Sequence, residues 1–463
     1  MVHCSMPMKI SGTITSLTGL TVEVRDFAAP VGALCQITTR NGDTIKAELI
    51  GFRGEMSVMM TLEEMTGISV GDKVICLKPH TEVPVGPELL GRVIDGQGHP
   101  IDDKGPLMCQ VRRATEAETL KPLQRGRIDT PISTGVRAVD SVLTCGCGQR
   151  MGIFAGPGVG KSVLLGMIAR YTSADVNVIG LIGERGREVR EFIERDLGPE
   201  GMAKSIVVVS TSDEPAPLRV KAGFVATTIA EYFRDQGKDV LLLMDSATRI
   251  AMAQRQIGLA MGEPPATKGY TPSVFAILPK LLERSGKSLK GSITGFYTVL
   301  VEGDDLTEPI ADAMRSILDG HLALSRKLAN RGHYPAVDVL ESISRVMPEV
   351  TDENQRQAAR MVTRLMAIYR DIEDLVNIGA YAPGTNIEYD LAVQSKNLID
   401  DFLRQQISES VNFNQAKEAL TQLDAAIMEL SLTIQGRQAD TASMNRQNTN
   451  GPSASPVNAG GMR

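Results

Sequence analysis

This sequence of 463 residues has few cysteines, no excess of positive charge and no long apolar segments. Six cysteines are ordinary for reduced thiols inside a cell, and they exclude a small disulfide-stabilised scaffold. The formal net charge is −6, which disfavours long-range attraction to nucleic acid or to an anionic membrane. No uncharged apolar run approaches the roughly 18 residues that a membrane-spanning helix needs. We therefore expect a soluble, cytoplasmic protein.

The residues from Met1 to Ser5 show no basic region followed by an apolar stretch, so we expect no secretory signal peptide. Hydrophobic residues make up 42% of the sequence and charged residues 22%, which excludes a wholly disordered chain or a collagen-like fibre. A chain of 463 residues is too long for one compact core, and its length predicts two or three domains.

The N-terminal part, residues 1–78, has the pattern of a small β domain. Leu20, Val22 and Val24 alternate with polar residues, which is the period of a half-buried strand. Turn signals recur at short intervals, at Gly19, Pro30-Val31-Gly32, Asn41-Gly42 and Gly71-Asp72. Short strands spaced in this way predict a β-barrel.

The rest of the chain divides by the period of its apolar residues. Within residues 79–350, apolar runs without polar alternation fit strands buried on both faces of a parallel sheet, and they predict an α/β domain. Residues 351–434 predict an α-helical domain with a break at Pro383-Gly384 and a second helical stretch over 388–434. Residues 435–463 are rich in Asn, Ser, Gln, Gly and Pro and predict a disordered tail. The apolar runs lie at 151–155, 178–182, 206–209, 240–244 and 296–301.

A phosphate-binding loop (P-loop) follows the first of these runs. Glycines let successive backbone N–H groups surround phosphate oxygens, and the helix that follows adds the positive end of its dipole. Lys161 is expected to reach the β- and γ-phosphates of a nucleotide, and the Ser162 hydroxyl to bind Mg²⁺. The strand–loop–helix context disfavours the alternative, an ordinary Gly-rich turn with a surface lysine. The predicted nucleotide-binding residues are Gly156, Pro157, Gly158, Val159, Gly160, Lys161, Ser162 and Val163.

The loop departs from the pattern G-x-x-x-x-G-K-S at its first position, which is Ala155. Alanine is the smallest alternative to glycine, and it is tolerable there if its φ is negative.

Two more predicted strands end in acidic residues, Glu184 and Asp245. Because the carboxyl ends of parallel strands meet at one edge of a sheet, we expect Asp245 to face the Mg²⁺ and its waters. Glu184 and Arg185 are expected to position the attacking water and to balance the developing charge. The alternatives are that Asp245 caps the next turn and that Glu184 and Arg185 belong to a solvated charge run.

These motifs together resemble a known family. The segments Gly183 to Glu188, Leu241 to Arg249 and Gly332 to Arg345 are similar to the catalytic subunits of the rotary F1/V1 ATPase superfamily. Pro309 to Asp312 and Ile317 to His321 are similar to one branch of it, the export ATPases of flagella and type III secretion systems. The likeness covers roughly residues 10–434 and implies a RecA-like fold for the central domain.

The resemblance also implies roles for single residues. It makes Glu184 the catalytic carboxylate that polarises the attacking water and Arg185 a contact to the γ-phosphate. Arg345 matches an arginine finger, which inserts into the site of the neighbouring subunit and stabilises the transition state there. The alternative for Arg345 is a salt bridge between helix and sheet. Tyr334 matches the aromatic residue that stacks on adenine, and Phe402 is a further candidate for that pocket.

The function that the resemblance implies is Mg²⁺-dependent ATP hydrolysis that energises protein export through a flagellar or type III secretion apparatus. The protein would work as a homohexameric ring, with ATP and Mg²⁺ as its ligands and no nucleic acid as a partner. Its implied partners are export-apparatus membrane proteins, a stator-like regulator, a stalk protein and cargo chaperones. This predicts a peripheral position at the inner face of the cytoplasmic membrane.

Three other functions are compatible with the same core. The catalytic β-type subunit of an ATP synthase carries a strongly acidic stretch in its helical domain, and residues 412–432 contain no acidic cluster. A ring-shaped RNA translocase needs a basic surface with aromatic residues, whereas residues 1–78 contain only Phe27 and Phe52 as Phe, Tyr or Trp. Lys161, Glu184 and Arg345 together argue against a non-catalytic ring subunit.

Overall fold

The computed structural model describes residues 9–301, 303, 305 and 307–449. The chain forms two units. The first contains the residues up to Asp352 together with Arg404–Ala416, and the second contains Glu353–Leu403 and the residues from Lys417 onward. Among the described helices, none combines the length and the apolarity that crossing a bilayer requires.

The first strands of the chain close into a barrel, which confirms the predicted β domain. The barrel strands are β1 (Ser11–Thr18), β2 (Thr21–Arg25), β3 (Leu34–Thr38), β4 (Thr44–Arg53), β5 (Met56–Thr61) and β6 (Lys73–Lys78). They follow the order β1-β2-β5-β4-β3-β6 around the barrel. Along β4, Ile45, Ala47 and Leu49 are buried in the barrel core, and the residues between them are more exposed. This is the period-two alternation of a sheet with one buried face.

A larger, mostly parallel sheet forms the centre of the first unit and confirms the predicted α/β fold. A short antiparallel ribbon, in which β7 pairs with β9, follows the barrel in the sequence and has strand β8 of the large sheet between its two strands. The remaining strands belong to the large sheet. The strands after the barrel are β7 (Glu82–Val85), β8 (Val93–Asp95), β9 (Val111–Ala114), β10 (Arg150–Ala155), β11 (Val176–Glu184), β12 (Ser205–Thr211), β13 (Asp239–Asp245), β14 (Gly286–Lys287), β15 (Ser292–Leu300), β16 (Gly320–Leu324) and β17 (Val337–Ser344).

Helices connect the strands of this sheet, and their apolar faces share one core with it. Val225 and Ile229 of the long helix α5, for example, belong to the same buried cluster as Val178 and Val240 of the sheet. The helices of the first unit are α1 (Arg137–Val142), α2 (Lys161–Tyr171), α3 (Gly186–Glu191), α4 (Gly198–Ala203), α5 (Ala216–Asp235), α6 (Ala247–Met261), α7 (Pro272–Leu282), α8 (Pro309–Ile317), α9 (Arg326–Asn330) and α10 (Met347–Val350). A π-helical segment, Phe192–Leu197, joins α3 to α4.

The strand order of the large sheet decides where the functional residues lie. It runs β17-β16-β10-β15-β13-β11-β12-β8, with β14 paired to β15. The strands from β16 to β8 are parallel to one another, so β10, β11 and β13 end at the same edge. Strand β17 lies at the side of the sheet and is antiparallel to β16. Its first residue is therefore near the edge where β10 ends, and its last residue is near the edge where β10 begins.

The second unit is helical, as predicted, and contains α11 (Glu353–Asn377), α12 (Ile387–Leu403) and the part of α13 (Phe413–Thr449) from Lys417 onward. Asp390 of α12 accepts hydrogen bonds from the Tyr381 hydroxyl at 2.5 Å and from the backbone N–H of Gly384, and these bonds hold the turn after α11. Arg364 of α11 forms an ion pair with Glu388 of α12 at 2.5 Å.

The structure differs from the sequence prediction at two places in this region. The helical stretch predicted over 388–434 is interrupted between Leu403 and Phe413, and the interrupting residues belong to the first unit. The side chain of Gln405 holds them there, because it accepts a hydrogen bond from the N–H of Arg137 at 2.7 Å and donates one to the carbonyl of Gly135 at 2.8 Å.

The second difference concerns the predicted tail, 435–463. Helix α13 continues to Thr449, so the first part of that segment is helical. Residues 435–449 contain no proline and include the good helix formers Gln, Ala, Arg and Met, which allows the helix to continue. Residues 450–463 lie outside the described part of the chain.

Candidate functional site

The predicted P-loop connects the end of β10 to the start of α2. Gly158 and Gly160 have φ values of +76° and +89°, in the left-handed region that favours glycine. Ala155 is the last residue of β10 and is not among the residues with positive φ, so alanine is accommodated at this position without strain. Helix α2 begins at Lys161, and its first N–H groups therefore point toward the loop.

Lys161 lies between the two predicted carboxylates. Its Nζ is 2.5 Å from Asp245 Oδ1 and 3.3 Å from Glu184 Oε1. Burial by itself would lower the pKa of Lys161, but the two negative charges outweigh it and raise the pKa above its usual value. Lys161 is therefore charged, and the strand ends of β11 and β13 meet at the P-loop as the sequence predicted.

Glu184 is the last residue of β11, and its carboxyl group is largely buried. Burial, and then the negative charge of Asp245, raise its pKa to about 7, although Lys161 acts in the opposite direction. A carboxylate that exchanges its proton near neutral pH has the property expected of a group that positions and polarises water.

Asp245 has the donor chemistry that Mg²⁺ requires. Its Oδ1 accepts hydrogen bonds from Lys161 and from the Thr298 hydroxyl at 2.5 Å and 2.7 Å. Its Oδ2 accepts no hydrogen bond from the part of the chain that the structure describes. The residue is buried and contacts Lys161, and both Lys161 and Ser162 line the cleft. A hydroxyl and a carboxylate oxygen beside a phosphate site fit Mg²⁺, which binds hard oxygen ligands and retains several waters.

Arg185 does not reach the carboxylates. Its side chain is 82% exposed and forms an ion pair with Glu188 at 3.6 Å, one turn further along the chain. It nevertheless lines the same cleft of about 760 Å³ as the P-loop, which is large enough for a nucleotide.

The cleft contains residues that sequence reasoning missed. Arg249 of α6 lines it, and its Nε is buried with no hydrogen-bond partner in the described structure. A Cβ at Gly183, where φ is +72°, would lie 2.7 Å from Arg249 Cβ, so the loop needs a glycine to let this arginine approach. The sequence signal was available, because Arg249 follows the strand-end carboxylate Asp245 by one helical turn. Arg255 and Lys268 add further positive charge to the wall.

Tyr334 and Arg345 lie at opposite ends of β17. Tyr334 precedes the strand, and its ring is 3.4 Å from the position of a Cβ at Gly160, so it covers the P-loop of its own chain. Arg345 follows the strand, and its backbone N–H donates to the carbonyl of Asp319, the residue before β16, at 3.0 Å. It therefore lies where β10 begins, and the 6-residue strand separates it from the P-loop by about 17 Å.

The predicted residues thus fall into two groups. The P-loop, Lys161, Ser162, Glu184, Asp245 and Tyr334 come together at one edge of the sheet, with Arg185 on the rim of the cleft. Arg345 lies at the other edge. Phe402 is buried within the second unit, and its predicted place in an adenine pocket stays a prediction.

The sequence matches three family models. They are the ATP synthase alpha/beta family beta-barrel domain over residues 14–78, the nucleotide-binding domain of the same family over 135–344, and the T3SS EscN ATPase C-terminal domain over 351–422. The flagellum-specific ATP synthase of Bacillus subtilis is 52% identical over 89% of this chain and 94% of its own length. The type 3 secretion system ATPase of Xanthomonas euvesicatoria is 49% identical over 89% and 93%.

A solved structure agrees with these relatives. The assembled ATPase EscN of enteropathogenic E. coli, in complex with its central stalk EscO, matches with a TM-score of 0.82 and 44% identity, over 89% of this chain and all of that one. The chain therefore belongs to the ATP synthase alpha/beta family, in the branch of flagellum-specific and type III secretion ATPases.

Proposed function

We propose that this protein hydrolyses MgATP as a homohexameric ring and thereby energises protein export through a flagellar or type III secretion apparatus. The observation that carries the proposal is the position of Lys161, which follows the P-loop and contacts both Asp245 and Glu184, at 2.5 Å and 3.3 Å. A phosphate-binding lysine and two strand-end carboxylates at one edge of a parallel sheet are the parts that phosphoryl transfer to water requires.

The position of each residue in the cleft gives it a separate role in ATP hydrolysis. The N–H groups of the P-loop and Lys161 bind the β- and γ-phosphates of ATP, and Arg185 and Arg249 on the cleft wall balance the charge that develops on the γ-phosphate. Glu184, when ionised, accepts a hydrogen bond from the attacking water and orients it in line with the bond that breaks. Mg²⁺, held by the Ser162 hydroxyl and through water by Asp245, would neutralise charge on the phosphate oxygens. Tyr334 stacks on the adenine.

Arg345 completes the site of the neighbouring subunit. It lies near the start of β10, about 17 Å from the P-loop at the end of that strand. This distance is greater than the length of an arginine side chain. In a ring, each subunit would present its P-loop edge to one neighbour and its Arg345 edge to the other, as in any heterologous interface. An arginine finger supplied in trans is worth about 10³–10⁵ in rate, so assembly would control turnover.

Substitution of Glu184 tests the chemistry. Glu184→Gln keeps the size of the side chain and removes its charge, so we expect ATP binding to persist while hydrolysis falls at least about a hundredfold. Binding is measured with a fluorescent ATP analogue and turnover by phosphate release. The matched control is Glu191→Gln in α3, because Glu191 pairs with the exposed Arg187 of the same helix and does not contact Lys161. Turnover that survives in Glu184→Gln would contradict the water-positioning role.

The comparisons favour export over ATP synthesis. The C-terminal match is to the T3SS EscN ATPase domain, and residues 412–432 lack the acidic cluster of a synthase β-type subunit. Flagellar and secretion relatives are almost equally similar, at 52% and 49% identity, so the proposal covers both kinds of apparatus. An RNA translocase is the least favoured reading, and stimulation of ATPase activity by RNA would revive it.

We propose a stalk protein as a partner because the related EscN assembles around the stalk EscO. By resemblance to the family we also propose export-apparatus membrane proteins, a stator-like regulator and cargo chaperones as partners, and a cytoplasmic position at the inner face of the membrane. A pull-down from native extract with Glu184→Gln in ATP tests these partners, because that variant should keep the ring assembled on them. Recovery of the ring without any of these proteins would contradict the proposal.

A further inference from the structure

A polar cluster lies at the edge of the large sheet opposite to the P-loop, and it is centred on Gln149, the residue before β10. Gln149 is fully buried. Its Oε1 accepts a hydrogen bond from the N–H of Gly146 at 2.9 Å. Its Nε2 donates to Ser344 Oγ at 3.0 Å and to the carbonyl of Asp319 at 3.3 Å. Both ends of the amide are therefore bonded, which fixes its orientation.

The two bonds that Gln149 Nε2 donates connect it to the surroundings of Arg345, through Ser344 and Asp319. Ser344 is the last residue of β17, and its hydroxyl donates onward to the carbonyl of Thr144 at 2.7 Å. The carbonyl of Asp319 that Gln149 contacts also accepts the backbone N–H of Arg345 at 3.0 Å. Gln149 thus bonds to the residue before Arg345 and to the acceptor of Arg345 itself.

Asp319 is in turn fixed to the first residue of β10. Its carboxylate accepts three hydrogen bonds from Arg150, from the backbone N–H, Nε and Nη2, each at 3.0 Å. Arg150 also contacts Glu283 at 2.5 Å. A bidentate arginine–carboxylate pair of this kind is among the more rigid polar contacts in proteins. The segment that carries Arg345 is therefore tied to the central strand of the sheet.

The side chain of Arg345 has no comparable support. Arg345 is exposed, and within the described residues its guanidinium group forms neither a hydrogen bond nor an ion pair. The direction of a long, unsupported side chain is set by the backbone from which it leaves. A displacement of about 1 Å in a catalytic group can cost about a hundredfold in rate.

We propose that Gln149, Ser344 and Asp319 form a finger-anchoring cluster, which aims Arg345 at the site of the neighbouring subunit. They are positioning residues that act on the reaction through Arg345. The inference rests on the proposed function, in which Arg345 acts in trans. Because the cluster lies across the sheet from the P-loop, its loss lowers kcat and leaves the affinity for ATP unchanged.

Substitutions at Ser344 test the cluster with the least disturbance of the core. Ser344→Ala removes the acceptor for Gln149 and the bond to Thr144, and we expect kcat to fall about 10- to 100-fold. Ser344→Thr keeps the hydroxyl and restores most of the turnover. The matched control is Ser342→Ala on the same strand, because the Ser342 hydroxyl bonds to Ala323 and Asp338 and not to the cluster. Gln149→Met is a second variant, which removes the amide at the centre of the cluster. If this variant fails to form rings, the result for Ser344→Ala decides whether the cluster positions Arg345.

Mixed rings separate a finger defect from a P-loop defect. Mixing Ser344→Ala with Lys161→Ala places an intact finger beside an intact P-loop at about a quarter of the interfaces, so activity rises above the sum of the two proteins. Mixing Ser344→Ala with Arg345→Ala supplies no intact finger, so activity stays at the sum. If Ser344→Ala only lowered the stability of the protein, its mixtures with Lys161→Ala and with Arg345→Ala would give the same result.

The control mixture, Lys161→Ala with Arg345→Ala, tests the proposed function alone. If it fails to regain activity in confirmed mixed rings, action in trans is wrong, and the inference is overturned with it. If it regains activity, the Ser344→Ala variant and its two mixtures test the anchoring role independently of the proposed function. Wild-type turnover in Ser344→Ala, equal recovery with both partners, or recovery with Arg345→Ala alone would each overturn the anchoring role.

Discussion

Glu184 shows how a buried strand end turns a common side chain into a candidate for catalysis. Its pKa is raised to about 7, first because the carboxyl group is buried and then because Asp245 is nearby. The protonated form donates a hydrogen bond, whereas the ionised form accepts one from water. Only the ionised form can therefore orient the attacking water, and its population changes most steeply near neutral pH.

The pH dependence of hydrolysis should report this titration. Because the ionised form is lost as the pH falls through a raised pKa, we expect kcat/KM to decrease below pH about 7, by about tenfold per pH unit. Phosphate release measured between pH 5.5 and 9 gives the profile, and circular dichroism at each pH checks that the protein stays folded. Glu184→Gln should lack this acidic limb. A limb near 4.5, the ordinary value for a glutamate, would contradict the assignment.

Single residues also mark the limit of what the sequence could indicate. Lys161, Glu184 and Asp245 stand in recognisable motifs after apolar runs. The structure places Lys161 Nζ within 3.3 Å of a carboxylate oxygen of each of the other two. Arg249 belongs to one of the same motifs, but nothing in its local sequence indicates that its Nε is buried without a hydrogen-bond partner in the described structure. Gln149 carries no motif, and only the packing around it reveals its bonds.

At the scale of elements, β17 connects two residues with different proposed roles. Its 8 residues pair with the 5 residues of β16 across a bulge, and it is preceded by Tyr334 beside the P-loop of its own chain. Arg345 follows it at the opposite edge of the sheet. An antiparallel strand at the side of a parallel sheet must have its two ends at opposite edges. The strand is therefore well placed to connect two neighbouring nucleotide sites.

Substitutions at its two ends should separate binding from chemistry. Tyr334→Ala removes the surface for adenine, so we expect KM for ATP to rise about ten- to a hundredfold with little change in kcat. Arg345→Ala should leave ATP affinity unchanged and lower kcat by about 10³-fold or more. Steady-state kinetics together with direct ATP binding distinguish these two effects.

The control for the first of these variants is Tyr334→Phe, which keeps the aromatic ring and should stay close to the wild type. A Tyr334→Ala protein that loses kcat while keeping its KM would remove the tyrosine from the adenine site.

The interruption between α12 and α13 shows why helix bounds were the weakest prediction. The 3–4 spacing predicts one stretch over 388–434, because helical periodicity continues on both sides of the break. Gln405 lies between the two helices and bonds with Arg137 and Gly135, which belong to the same first unit. Such bonds join residues about 270 positions apart, and no local pattern contains them.

At the scale of the whole molecule, one chain holds every part of the proposed reaction but cannot bring them together. Its Arg345 lies across the sheet from its own P-loop, so under the proposed function a complete site needs two subunits. Assembly and catalysis are then linked by mass action.

This linkage predicts that specific activity rises with protein concentration. We expect an activity per chain at least about tenfold lower where sizing shows monomer than where it shows the ring, because the finger is then missing. Phosphate release over a dilution series, with size measured at each concentration, checks this. Arg345→Ala should show little such rise. A monomer with full activity would contradict a finger in trans.

The low cysteine count, the net negative charge and the lack of long apolar runs excluded other classes of protein. The local motifs then predicted the fold class and the nucleotide site. Apolar runs, turn residues and a P-loop are local properties, and neighbouring residues in the sequence determine them. Only the tertiary structure decided which strand ends meet, that β17 runs antiparallel at the side of the sheet, and that the backbone N–H of Arg345 bonds to the carbonyl of Asp319, which Gln149 also contacts. Those arrangements depend on pairing between distant segments, because hydrogen bonds between such segments join positions whose separation in the sequence follows no period.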